Sequence, residues 1–186
     1  IDISGIVYLK RFAIKRFYIE AVLDNVTALL SGEFSVNFGG SLLYKGTPGS
    51  RTISGDIRIN RARYKERVEW KSWLLKTRKS ERYRGEVSDF EKTGLNIKIT
   101  GKDSIVIDNN VTRATVSADM VLRGSVFRPL LLGRLETREG AVYFRNIEFR
   151  VLHASADFTD TGKFNPYVNI SAETEVKDYK IHMNID

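Results

Sequence analysis

Apolar and polar residues alternate one for one along nearly all of this chain, and that rhythm constrains its fold more than any other feature. In the run Ala114 to Arg123, residues Val116, Ala118, Met120 and Leu122 recur at every second position. The same spacing returns in Leu95, Ile97 and Ile99, in Val168, Ile170, Ala172, Thr174 and Val176, and in Ile181, Met183 and Ile185. Successive side chains of a strand point to opposite faces, so each run forms a ribbon with one apolar and one polar side. Helical periodicity is scarce, which predicts an all-β chain and a broad amphipathic sheet.

Punctuation agrees with strands. None of the three prolines interrupts an alternating run: Pro48 and Pro129 precede strands and Pro166 follows a turn. Turns are expected at Phe38-Gly39-Gly40, over Lys45 to Ser50, at Thr100 to Asp103, at Asp108-Asn109-Asn110, at Glu139-Gly140 and at Asp160-Thr161-Gly162. The segment Arg61 to Arg84 departs from the rule. It gathers Arg and Lys around Trp70, Trp73, Leu74 and Leu75, and a short amphipathic helix or a loop is expected near 66–80. Such a helix either caps one end of the sheet or lies on an anionic membrane surface.

A loose internal repeat links 31–65 with 116–146. Each copy reads strand, glycine, proline-containing turn, apolar-x-Gly, strand, around Gly40, Pro48 and Gly55 in the first and Gly124, Pro129 and Gly133 in the second. It favours an elongated sheet over a closed barrel. Both ends of the chain fall in mid-pattern, at Ile1-Asp2-Ile3 and Ile185-Asp186, so residues 1–186 are expected to be a single fragment of a longer repeating β-sheet protein, flanked by neighbouring segments of the same chain.

Composition narrows the partners. At 42% hydrophobic the 186 residues can bury a core, and no run approaches the roughly 18 apolar residues of a membrane-spanning helix. The absence of cysteine excludes disulfides and thiolate metal sites. A net charge of +7 attracts anionic partners. No catalytic constellation is evident. His153 is expected beside Val151 on one face of an edge strand and His182 in solvent, and no metal, cofactor, phosphate-loop or calcium-loop spacing occurs. Tyr64, Trp70, Trp73 and Tyr83 are interleaved with Arg and Lys, but within the strands only Arg61 to Lys65 alternates aromatic and basic residues as a base-stacking face would, so no nucleic acid is expected. What covers the apolar face stays open between a collapsed dry core and an exposed trough.

The stretch Gly124-Ser125-Val126-Phe127-Arg128-Pro129-Leu130-Leu131-Leu132-Gly133-Arg134-Leu135-Glu136-Thr137, continuing through Gly140 to Phe144, resembles the "Gly, Pro-x-x-x-Gly, strand, Gly, strand" block of the TamB C-terminal domain family. Phe149 to Phe158, then Asn165-Pro166-Tyr167 to Thr174, and finally Tyr179 to Ile185 are similar to that family's continuation. The match is good over 114–186 and one of pattern over 1–113. The resemblance implies an AsmA-like periplasmic protein of Gram-negative bacteria, held in the inner membrane by an N-terminal helix. Its antiparallel or mixed sheet would be curled, taco-like, around an apolar concave face. It further implies a non-enzymatic role in moving phospholipids between membranes and in outer-membrane protein assembly with a TamA-like barrel partner.

On that reading acyl chains would lie against Phe34, Val36, Ile57, Ile59, Leu95, Ile97, Ile99, Val116, Met120, Leu122, Leu135, Phe144, Phe149, Val151, Ile170 and Ile181, chosen by alternation. The alternative is an assembly or chaperone module that offers an open sheet edge to outer-membrane strands by β-augmentation.

Overall fold

The computed structural model describes residues 1–68, 88, 90–145, 147–159 and 166–186. Eleven strands form one sheet: β1 (Asp2–Lys10), β2 (Ala13–Ser31), β3 (Phe34–Thr47), β4 (Ser50–Tyr64), β5 (Gly94–Asp108), β6 (Thr112–Ser125), β7 (Pro129–Thr137), β8 (Gly140–Phe144), β9 (Ile147–Phe158), β10 (Tyr167–Val176) and β11 (Tyr179–Ile185). They follow one another in space as in sequence, so most connections are hairpins. β7 and β8 are consecutive halves of one row, both lying between β6 and β9 and broken at Arg138-Glu139. The sheet is mixed, because β4 pairs with β5 in parallel while every other pair is antiparallel. A parallel pair needs a long crossover, and residues 65–93 supply it. From 69 onward the helix or loop expected near 66–80 lies outside the described residues.

Substantial contacts run only between hydrogen-bonded neighbours, and among the described residues there is no helix and no second layer. Of the expected turns, that at Asp160-Thr161-Gly162 lies outside the described residues, and two of the others are instead parts of strands. Phe38-Gly39-Gly40 lies within β3, and Thr100 to Asp103 lies within β5 as a bulge between Gly101 and Ile105. Asp103 takes a left-handed φ of 48° there, and Ser117 Oγ both accepts from its amide and donates to its carboxylate, each at 2.9 Å. A bulge changes which face later residues occupy without ending the strand.

His153 is corrected by the same physics. A register shift in β9 pairs Val151 with Ala172 but His153 with Ser171, so the two side chains stand on opposite faces, and β9 is an interior strand.

The β1–β2 hairpin closes with two residues, Arg11 (φ 50°) and Phe12 (φ 63°). Positive φ at both positions defines a type I′ turn, whose favoured sequence is Asn-Gly. Left-handed backbone costs a side-chain-bearing residue about 1–2 kcal/mol, so this tip is held against its local preference.

The polar face is laced across the strands. Asn60 donates to Asn37 Oδ1 (3.0 Å) and Asn37 to Thr27 Oγ1 (2.9 Å), and Arg134 grips Asp157 with two bonds at 2.6 and 3.1 Å. Arg150 donates to the Glu173 carboxylate, which also lies 4.0 Å from His182. The hydrogen bond from Arg150 holds the Glu173 carboxyl below its ordinary pKa. A depressed folded-state pKa contributes stability above the unfolded carboxylate range, and that contribution is lost as pH falls through the folded value. Glu173→Gln is therefore expected to flatten the acid limb of the stability profile and leave the alkaline limb unchanged, read from urea midpoints across the acid range.

Candidate functional site

Register assigns each strand residue to a face. Directly paired residues share a side of the sheet, so a cross-strand row can be followed through Leu23, Gly40, Ile57, Ile99, Met120, Gly133 and Phe158. A second row runs Ala28, Val36, Ala62, Ile105, Val116. Toward the C-terminus Val151 meets Ala172 and Met183, and Ala154 meets Ile170 and Ile185. These rows lie on one face, and it is apolar from β1, where Ile3 and Val7 pair with Ala21 and Phe17, to β11.

All sixteen residues selected by alternation stand on this face. Phe34, Val36, Ile57 and Ile59 enter from β3 and β4, Leu95, Ile97 and Ile99 from β5, Val116, Met120 and Leu122 from β6, and Leu135 from β7. Phe144, Phe149, Val151, Ile170 and Ile181 extend it through β8 to β11. Their surroundings differ. Ile97, Val116, Met120, Phe149 and Val151 are buried, whereas Phe144 and Ile181 are exposed. Alternation did not single out Ile105, Ile107, Ala62 and Phe158, which join the face after bulges in β4, β5 and β9. The signal for the first three was a polar run, Asn60-Arg61 or Lys102-Asp103-Ser104, followed by resumed alternation.

A buried hydrophobic cluster lies within this one face. Ala118, Met120 and Phe158 form its buried centre, with Ile99, Ile105, Leu131, Leu135 and Ala156 around them. Beside it is a cleft of about 160 Å³ whose lining includes Ile107 on β5, Val116 on β6, Val142 on β8, Val151 on β9 and Ile170 on β10. A larger depression, about 680 Å³, includes the polar-face residues Asp119, Glu136, Arg134 and Asp157 in its lining, and the last two are already paired. The smaller cleft is the chemically informative one, because its walls offer an occupant dispersion and little hydrogen bonding.

The edges complete the geometry. β1 and β11 each have a single strand partner, and Ile3, Val7 and Leu9 on one and Ile181 and Ile185 on the other are exposed.

These features define a class: an open, single-layer, amphipathic β-sheet protein with one continuous apolar face. The chain belongs to the TamB C-terminal domain family, whose model matches residues 1–186. No curated protein was found to match it. Family membership gives the chain a role in the TamB/TamA assembly or lipid-transport system of the Gram-negative envelope, a system whose modules are generally non-enzymatic.

Proposed function

We propose that the apolar face is a groove, concave along the stack of strands, that shields phospholipid acyl chains on their way between the inner and outer membranes. The observation that carries this reading is the continuity of the face: paired apolar residues follow one another through eleven strands, and no second layer of described residues covers them. A cleft bordered by β5 and β10 at once supports a sheet bent toward that side, since neighbouring strands lie only about 4.8 Å apart. Acyl chains suit such a surface. Each methylene removed from water contributes about 0.8 kcal/mol, so about ten of them offset a substantial ordering cost. Headgroups stay wet at the opening, no catalytic residue or cofactor is required, and the setting is the periplasm in a protein anchored in the inner membrane.

The exposed edges favour a second reading, in which β1 or β11 adds a strand from an outer-membrane client or a TamA-like barrel partner. One experiment separates the two. A photocrosslinking side chain is placed at the partly or fully exposed Leu122, Phe144 and Ile170 on the apolar face, at Lys98 and Asp119 on the polar face, and at Ile3 and Ile185 on the edges. Phospholipid adducts are expected from the first group and not from the second. No lipid adduct at any apolar position, with protein adducts at the edges, replaces the groove with the assembly reading.

A further inference from the structure

We propose that one end of the sheet, formed by the β1–β2, β3–β4 and β6–β7 turns, docks on an anionic phospholipid bilayer and inserts Phe12 into its interface. This goes beyond the groove, because it concerns the strand ends and not the apolar face.

Register puts these turns together. Phe17 pairs with Gly46, Thr52 with Gly94, and Gly94 with Ser125, so the three turns and the entry to β5 share one end of the strands. Val126 and Phe127 donate to the carbonyls of Thr93 and Glu91, which brings Phe90 to the same end.

That end is basic. Lys10 and Arg11 stand at the first turn, Lys45 and Arg51 at the second and Arg123 and Arg128 at the third, with Glu91 and Lys92 between them. The opposite end mixes signs, with Glu33, Glu66, Asp108 and Asp178 set among Arg63, Lys65, Arg67, Arg113, Arg145 and Lys177.

Apolar rings rise from the basic end. Phe12 is 101% exposed, fully clear of the sheet, and Phe90 is 56% exposed. Phe12 is also half of the strained type I′ turn, where a small flexible residue would be favoured. Nothing in the sheet rewards a phenylalanine there, since it is wholly in solvent. Strain kept at an exposed position points to function outside the fold. Cations draw a surface toward anionic headgroups, and an aromatic tip gains by leaving water at the headgroup level. A nucleic acid or acidic protein would use the cations but would not explain a phenylalanine held fully in solvent at a strained turn.

The chain contains no cysteine, so Phe12→Cys gives a single site for an environment-sensitive fluorophore. With vesicles of equimolar phosphatidylglycerol and phosphatidylcholine at low salt, its emission is expected to shift to the blue and brighten. With phosphatidylcholine alone it should stay unchanged. The same label at Gly32→Cys, in the β2–β3 turn at the far end where added atoms meet open space, should not respond to either. The double variant Arg11→Asn with Phe12→Gly matches what the turn prefers. It is expected to lose vesicle co-sedimentation by at least about tenfold, while its unfolding midpoint holds or rises. The proposal is overturned if the label at position 12 is silent, if positions 12 and 32 respond alike, or if the double variant pellets like the parent. Salt-sensitive vesicle binding without fluorophore burial, matched by an oligonucleotide, overturns it too, in favour of a general polyanion surface. None of these outcomes depends on lipid adducts at the apolar face.

Discussion

Gly133→Val is expected to cost on the order of 4 kcal/mol of folding stability, at the upper end of single-residue effects and a large part of the 5–15 kcal/mol that holds a domain together. Three causes add. Gly133 has φ +124°, a backbone region that side-chain-bearing residues adopt at a cost of about 1–3 kcal/mol. A Cβ there would sit 2.2 Å from the carbonyl oxygen of Asp119 and 2.8 Å from Met120 Cα, atoms fixed by the β6–β7 ladder. Gly133 also stands in register between Met120 and Phe158, which belong to the same buried cluster. The missing side chain is what lets two long side chains meet across the intervening strand, and valine would hold them apart. Gly49→Ala, where an added Cβ meets nothing within 4 Å, should change stability by less than about 0.5 kcal/mol. Urea unfolding followed by circular dichroism decides it, and equal midpoints for the two variants would refute the account.

The same glycines show how far the sequence could be read. The repeat places Gly40 and Gly55 in the β3–β4 hairpin and Gly124 and Gly133 in the β6–β7 hairpin, and all four have positive φ. Their spacing about a proline turn was visible; their conformation was not, and Gly39-Gly40 looked like a turn because glycine serves both turns and close strand approach.

Alternation determined the apolar face wherever a strand ran unbroken, as in β6 from Ala114 to Leu122. It was also recoverable across bulges that announce themselves with a polar run, such as Lys102-Asp103-Ser104. It failed at Leu152-His153, where the extra residue carries no polar signal and the shift appears only in pairing with β10. It was silent about the parallel β4–β5 joint, since a period of two is the same in either strand direction. The charge asymmetry between the two ends of the sheet was likewise hidden. It exists only once that joint sets the β6–β7 turn beside the β3–β4 turn.

Met120→Asp is expected to destabilise the fold by about 3 kcal/mol at neutral pH, because Met120 is 3% exposed amid Ala118, Phe158 and Ile99. Desolvation raises the pKa of a buried carboxyl above its unfolded value near 4. The folded state then holds the proton more tightly, so the ionisation part of the loss is absent below the unfolded pKa and grows as pH rises toward the folded one, on top of a packing loss that does not depend on pH. A dry core and a lipid groove both predict this at Met120, so the decisive comparison is Ile181→Asp. Ile181 lies on the same face but is 41% exposed, and a carboxylate there can stay hydrated. If the face serves only to pack the sheet, Ile181→Asp changes neither stability nor lipid recovery. If acyl chains pass along it, lipid recovered with the protein should fall at least about tenfold, since about 1.4 kcal/mol of ion desolvation against a tail suffices for that factor. Asp119→Ala, on the polar face beside Met120, should leave both readouts where they were. A variant that folds normally and sheds its lipid distinguishes a surface that conducts from a surface that merely holds the sheet together.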